Sequence, residues 1–176
     1  ERFAEFSGMS LLPLAFEFDN IVIVRSFETW AAIQEPPCAW VLASPQAAEL
    51  VGLGAELVER GALAAAVATL DNLASLDVTL RLLREERSRL YRFLRKLSFI
   101  EPIPSWGPFL AARVNLVPRQ AVVSGLLTRG IRVYVPPQAG LEQVIRIGIG
   151  SRTAMDRFRQ ALLDLAPELV AGPNGS

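Results

Sequence analysis

Runs of apolar residues in the first quarter of the chain predict short buried strands. Residues 21–24 form a continuous run of β-branched side chains, which is typical of a strand buried on both faces of a parallel sheet. Residues 39–43 form a second candidate of the same kind, and residues 2–6 are partly apolar and predict the end of a strand. Residues 27–37 are predicted to be a loop, because two successive prolines exclude a helix.

Helical spacing of apolar positions dominates the next part of the chain. Residues 10–18 predict a first helix, and Ser44 followed by Pro45 predicts an N-cap and first turn. Residues 46–76 are rich in Ala and Leu and predict two helical pieces separated near Gly61.

A long amphipathic helix is predicted from Asp77, as its cap, to the vicinity of Lys96. Its leucines recur at helical spacing with Arg and Glu between them, so one face packs in a core and the other is solvated.

The C-terminal part alternates strands and helices in a pattern that predicts a small antiparallel sheet covered by helices. The predicted elements are a strand at 109–116, a helix from Pro118 to Gly130, alternating strands at 131–135 and 145–149, and a helix capped by Ser151. The chain as a whole is therefore predicted to be of the α/β class.

Composition narrows the possible chemistry. The chain has 176 residues, no histidine and a net charge of zero, which argues against catalytic triads and against nucleic acid as the main partner. Lys96 is the only lysine, so a Schiff base has no other source, and Cys38 is the only cysteine, which indicates a reducing, cytoplasmic setting. A metal site is not expected. A membrane span is not expected either, because charged residues interrupt every long apolar run.

Two stretches carry a resemblance to a known family. Residues 24–43, VRSFETWAAIQEPPCAWVLA, resemble the segment V-R-S-F-T-K-x-x-x-x-P-G-L-R-x-G-Y-x-x-A of fold-type-I pyridoxal-phosphate (PLP) enzymes. Residues 130–134, 140–141 and 145–152 resemble the C-terminal G-I-x-V-R, G-L and L-R-I-x-x-G-T-R-E of the same enzymes, and residues 1–6 resemble D-E-A-Y-x-E-F without its Asp. Among these enzymes, the chain resembles histidinol-phosphate aminotransferases and the threonine-phosphate decarboxylases of cobalamin synthesis.

The resemblance implies a cofactor site that has lost its reactive groups. The lysine that holds PLP is Thr29 here, the hydroxyl residue before it is Glu28, and the arginine eight positions later is Pro37. The tyrosine that hydrogen-bonds the cofactor is Phe3, and Ser26 is the one hydroxyl left at the phosphate end. No catalytic residue is therefore predicted, and no cofactor is expected unless PLP binds in spite of the lost lysine.

In the small domain, the resemblance implies one retained substrate position. Arg146 matches the arginine that binds a substrate carboxylate, whereas the neighbouring family Arg and Asn are Tyr134 and Pro108. A small carboxylate ligand at Arg146 is one reading, and a strand arginine that reaches solvent or a neighbouring acid is the other. Arg25 and Arg152 are interpreted as structural.

Packing is the default interpretation of the remaining distinctive side chains. Cys38 is expected to be an inert core residue, since no histidine stands ready to lower its pKa. The three tryptophans are expected to be buried in packing rather than to line a pocket. They are Trp30, Trp40 and Trp106.

The resemblance also implies an organisation into domains. Residues 1–78 match the end of the large domain, residues 79–171 match the small α+β domain with its connecting helix, and residues 172–176 are expected to be disordered. Three functions stay open: a degenerate, non-catalytic binding, regulatory or scaffolding protein; part of an active aminotransferase or decarboxylase that acts on a phosphorylated amino acid; or a plain interaction domain. Exposed apolar surface and a partner, either a second copy or the N-terminal half of such an enzyme, are expected in each case.

Overall fold

The computed structural model describes residues 1–35, 37–52 and 58–170, and it separates into two compact units, Glu1–Leu80 and Arg81–Ser176. The expected disordered tail, residues 172–176, lies outside the described residues. Mixed helices and strands with small antiparallel sheets confirm the predicted α/β class.

The first unit is built from short helices around a two-stranded sheet. Its elements are α1 (Ala4–Ser7), α2 (Leu12–Glu17), β1 (Ile23–Ser26), β2 (Ala39–Leu42), α3 (Pro45–Leu50) and α4 (Arg60–Asp71). As predicted, Ser44 caps α3, because its hydroxyl accepts a hydrogen bond of 3.1 Å from the Ala47 N–H.

Two strand predictions in this unit are wrong in part. Residues 2–6 do not end a strand: the Phe3 carbonyl accepts hydrogen bonds from Phe6 and Ser7, which starts the short helix α1. β1 and β2 are strands as predicted, but they pair antiparallel and Val24 is 50% exposed, so neither parallel pairing nor burial on both faces holds. The loop between β1 and β2 reverses the direction of the chain, so the two strands pair antiparallel. A sheet of two four-residue strands is also too small to be buried on both faces.

The helix boundaries between 46 and 96 also differ from the prediction. Gly61 lies in the first turn of α4 rather than between two helices. α4 ends at Asp71. The next residue, Asn72, is its C-cap and donates a side-chain hydrogen bond to the Ala68 carbonyl, and α5 (Leu73–Leu94) begins directly after it. Asp77 therefore lies inside α5 and does not cap it.

The second unit contains most of α5 and a three-stranded sheet. The remaining elements are β3 (Ile100–Ile103), β4 (Phe109–Val114), α6 (Arg119–Thr128), β5 (Val144–Gly148) and α7 (Arg152–Val170). The sheet order is β3-β4-β5 with antiparallel neighbours. The helices pack on one face of this sheet and form the main core, which includes Leu90, Leu94, Leu110, Val122, Leu126, Ile145, Ile147, Phe158 and Leu162.

The sequence predicted β4, α6, β5 and α7, and the structure confirms them, including Gly130 with a φ of 73° just beyond α6. β3 was not predicted because it contains Pro102, which has no N–H to donate; the edge position of this strand tolerates a proline. Residues 131–135 do not form the predicted strand. Their burial alternates, but only Tyr134 bridges to β5, at Arg146.

Among the described residues, no helix by itself is long and apolar enough to cross a membrane. α4 and α5 meet the criteria of length and composition only when taken together, and they are bent by 78° at the break between them.

Candidate functional site

Several residues at the predicted cofactor positions lie together in the first unit, around Arg2. The Arg2 Nε donates a hydrogen bond of 3.2 Å to the Thr29 Oγ1, and its Nη2 lies 3.4 Å from the Glu28 Oε2. The Arg2 guanidinium also lies 5.9 Å from the centre of the Phe3 ring. Phe3, Glu28 and Thr29 are thus joined through a residue that the sequence-based site did not include.

Local packing fixes the turn that carries Glu28 and Thr29. Phe27 is buried beside Cys38, and its ring lies 5.4 Å from that of Trp30. The Trp30 Nε1 donates a hydrogen bond of 2.9 Å to the carbonyl of Ser26, the last residue of β1. The turn immediately after β1 is therefore held by the contact of buried Phe27 with half-buried Trp30 and by a side-chain to backbone hydrogen bond.

Arg2 could have been found from the sequence by its place in the opening motif. It stands between Glu1 and Phe3, where the pattern D-E-A-Y has alanine, so a small side chain is replaced by a long cation. This sequence signal consists of one substituted position. The structure shows why the position matters, because Arg2 contacts Glu28 and Thr29, which lie far from it in the sequence.

Arg25 has a structural role, in agreement with its interpretation from the sequence. Its guanidinium forms ion pairs with Glu1, at 2.7 Å, and with Glu5, at 3.3 Å, and it lies 5.5 Å from the Trp40 ring. Burial raises the pKa of Glu1, but hydrogen bonds from the Leu11 N–H and from Arg25 outweigh it and lower that pKa below its ordinary value.

The groups that surround Thr29 do not fit PLP. Thr29 has no amine, Glu28 presents a carboxylate where the cofactor phosphate needs donors, and Phe3 has no hydroxyl. Pro37 lies exposed in a turn and has no N–H. Lys96, the chain's one lysine, is exposed just beyond the end of α5 and belongs to the other compact unit.

Arg146 lies in a different setting, on β5 of the second unit. Its guanidinium carbon is 4.3 Å from the centre of the Tyr134 ring and 4.8 Å from that of Phe109, so two aromatic rings flank it. Backbone hydrogen bonds of 2.8 and 2.9 Å between Arg146 and Tyr134 fix this arrangement. Within the described part of the chain, no carboxylate lies within 4.0 Å of the Arg146 guanidinium.

The other singled-out residues divide between core and surface. Cys38 is buried, as expected, and Trp30 is half-buried against Phe27. The expectation of buried packing is wrong for Trp40, which is exposed on β2, and for Trp106, which is 59% exposed. In residues 1–35, 37–52 and 58–170, His, Cys, Asp and Glu side chains form no group of three or more able to hold a metal ion.

Comparisons with known proteins agree with this architecture. No family model matches the chain. A histidinol-phosphate aminotransferase of Roseiflexus castenholzii is 30% identical over 97% of this chain and 46% of its own length. Histidinol-phosphate aminotransferase 2 of Archaeoglobus fulgidus is 28% identical over 94% of this chain and 48% of its own length.

Solved structures of the same kind superpose on nearly the whole chain. The histidinol-phosphate aminotransferase of Clostridium acetobutylicum matches with a TM-score of 0.84 and 19% identity, over 96% of this chain and 53% of that one. The L-threonine-O-3-phosphate decarboxylase of Porphyromonas gingivalis matches with a TM-score of 0.79 and 19% identity, over 93% and 53%.

The chain has the fold of the C-terminal half of fold-type-I PLP-dependent enzymes. Its relatives are histidinol-phosphate aminotransferases, and its structural neighbours include a threonine-phosphate decarboxylase, which confirms the resemblance predicted from the motifs. The chain spans about half the length of the curated relatives it matches.

Proposed function

We propose that this chain keeps the fold-type-I scaffold without PLP-dependent catalysis and acts by binding, as a regulatory, scaffolding or dimerising protein. In this proposal the Glu1–Leu80 unit is a remnant of the large domain and the Arg81–Ser176 unit is the small domain. The observation that carries it is the contact of Arg2 with both Thr29 and Glu28. Where a cofactor-binding lysine would stand, the polar groups are already paired with each other.

Electrostatics supports the loss of the phosphate end of the site. A carboxylate about 4 Å from a phosphate charge costs roughly 4 kcal/mol per charge pair at an effective dielectric of about 20. Solvent weakens this repulsion and the attraction between Arg2 and Glu28 alike, because their side chains remain 63% and 44% exposed, so Arg2 does not turn Glu28 into a phosphate-binding group. Restoring the lysine alone is therefore not expected to restore cofactor binding.

The test is to incubate the protein with stoichiometric PLP and to record the absorbance band of a Schiff base. After borohydride reduction, mass spectrometry locates any lysine that has reacted. We expect neither a band nor a modified lysine in the wild-type chain, and neither in Thr29→Lys. A stoichiometric band that disappears in Lys96→Arg would overturn the proposal.

A second variant separates the amine from the phosphate end. In Arg2→Ala/Glu28→Thr/Thr29→Lys/Pro37→Arg, the amine, the hydroxyl and the phosphate-binding arginine are all restored. We expect this chain to bind PLP at least tenfold more tightly than Thr29→Lys, since it removes one repulsive charge and adds a bidentate donor. Equal binding by both variants would show that Glu28 and Pro37 do not disable the site.

A second candidate is that the chain forms part of an active aminotransferase or decarboxylase for a phosphorylated amino acid. It is favoured by the length of the relatives and by Arg146, which is held between two rings, has no carboxylate of the described residues within 4.0 Å, and is suited to bind a small carboxylate. The deciding assay combines PLP and the region encoded upstream of Glu1 with one of two substrates: histidinol phosphate plus a 2-oxo acid as the amino-group acceptor, or threonine phosphate, whose decarboxylation needs no acceptor. Turnover that disappears in Arg146→Gln would favour this candidate, whereas no turnover would favour the first.

A further inference from the structure

A strong surplus of positive charge lies in the second unit although the whole chain is neutral. Arg81–Ser176 contains fifteen Lys and Arg against seven Asp and Glu, whereas Glu1–Leu80 contains three against eleven. A neutral total therefore does not exclude an anionic ligand for the second unit, because the field at a surface depends on its local charges.

Much of this surplus gathers along α5 and beside α7, in two adjacent cavities. The first, of about 440 Å³, is lined by Arg81, Arg84, Glu85, Ser88, Arg89 and Arg92. The second, of about 260 Å³, is lined by Arg89, Arg92, Phe93, Lys96 and Arg159. Because Arg89 and Arg92 belong to both, the two cavities form one surface, here called the α5 cation surface.

A buried acid organises the centre of this surface. Glu86 is only 7% exposed, and its carboxylate pairs with Arg89 on its own helix and lies 3.6 Å from Arg159 on α7. Asp156 contacts both Arg89 and Arg159. These two acids and two arginines balance in charge, so the network holds both guanidiniums in place without adding to the surplus.

The remaining cations of the second cavity are not neutralised. Within the described part of the chain, no carboxylate lies within 4.0 Å of Arg92 or Lys96. Both side chains are exposed, so they are accessible to an anion from solution. The Nη1 of Arg159, in contrast, is buried, so Arg159 contributes to the site mainly through its charge.

We propose that the α5 cation surface binds a small anion that carries two or more phosphate groups. Arginine forks match phosphate oxygens in bidentate geometry, and cations spread over two joined cavities suit several phosphates better than a single carboxylate. This site is independent of the proposed function and of Arg146. On β5, the neighbouring Ile145 and Ile147 face the core, so Arg146 lies on the opposite face of the sheet.

The test is isothermal titration of the chain with inorganic tripolyphosphate at low ionic strength and again at raised ionic strength. We expect binding of one anion per chain that weakens as salt is added, because counterions are released. Arg92→Gln/Lys96→Gln should bind about tenfold more weakly, as expected when two charge-assisted contacts are lost. Lys96→Arg, which keeps the charge, should bind as the wild type does.

The matched control is Arg95→Gln/Arg113→Gln, which removes the same charge from exposed residues that line neither cavity. We expect it to bind within about twofold of the wild type, since long-range charge effects are screened. Equal weakening in both double variants, or no binding of tripolyphosphate, would overturn the proposal. Binding of a single DNA strand or of phosphatidylglycerol vesicles without binding of tripolyphosphate would overturn it as well.

Discussion

At the scale of single residues, Arg2 joins the side chains of Thr29 and Glu28 at the candidate cofactor site. The loss of the reactive amine at position 29 is evident from the sequence, because a Schiff base needs a lysine there and the residue is threonine. The pairing of Arg2 with Thr29 and Glu28 is not evident, since it depends on the path of the chain through α1 and β1. Residue types were therefore predictable at this site, whereas their partners were not.

The ion pairs of Arg25 lead to a prediction about acid stability. Burial raises the pKa of Glu1, but the Leu11 N–H, Arg25 and Ser10 together lower it below the ordinary 4.5. A lowered pKa in the folded state means that the stabilisation is present above pH 4.5 and is lost as the pH falls through the lower, folded value. We expect Glu1→Gln to reduce the free energy of unfolding by about 1–3 kcal/mol at pH 7, since it removes the closer of the two carboxylates that pair with Arg25 and leaves Glu5 as its one ion-pair partner among the described residues.

Urea denaturation at pH 7 and at pH 3 measures this effect. The difference between the wild type and Glu1→Gln should be smaller at pH 3 than at pH 7. Glu17→Gln is the control, because Glu17 is exposed and a surface change of this kind usually stays within about 0.5 kcal/mol. The same difference at both pH values would show that the Glu1 charge contributes nothing.

At the scale of elements, prediction succeeded where local signals and tertiary packing agree. β5 and α7 have alternating or helical patterns and a serine cap, and both formed as predicted. β3 and the start of α5 were misjudged, because a proline or an aspartate suggested a break that the surrounding fold did not need. The predicted strand at 131–135 failed for the opposite reason, since alternation alone does not supply a ladder of hydrogen bonds.

The packing of α6 against α7 leads to a prediction about a glycine. A Cβ added to Gly125, inside α6, would collide with the side chain of Leu165 on α7. We expect Gly125→Ala to lower the free energy of unfolding by about 1–3 kcal/mol, because an overfilled contact forces side chains or helices apart.

Thermal or urea unfolding measures the change, with a second glycine as the matched control. Gly61 lies in α4, and a Cβ there would meet no atom within 4 Å. Gly61→Ala should therefore be neutral or should stabilise by up to about 1 kcal/mol, as expected for alanine in a helix. A loss of stability at Gly61 equal to that at Gly125 would show that contact with Leu165 is not the cause.

At the scale of the whole molecule, the first unit exposes apolar surface that a single chain does not cover. α2 contains no buried residue, and Phe16 is 78% exposed. Other exposed apolar side chains around it are Met9, Leu11, Leu14 and Phe18. The sequence predicts exposed apolar surface for each of the three functions left open, and exposed apolar side chains concentrated in one segment are typical of interfaces.

We expect the chain to self-associate, with a homodimer as the simplest form, or to bind a partner through this segment. Light scattering coupled to size-exclusion chromatography over a range of concentrations measures the mass. Phe16→Glu/Phe18→Glu should shift the chain towards monomer, whereas Leu127→Glu, at an exposed position on α6, should not. A wild-type chain that stays monomeric at every concentration would contradict self-association and leave a different partner as the occupant of this surface.

The uneven division of charge between the two units has a consequence for handling the protein. A pI near 6.7 would ordinarily predict weak retention on any ion exchanger at neutral pH. The first unit, however, has eight excess negative charges and the second has eight excess positive charges. We therefore expect the chain to adsorb to both cationic and anionic resins at low salt. Cleavage of the chain between Leu80 and Arg81 would then release two pieces that elute from opposite resins.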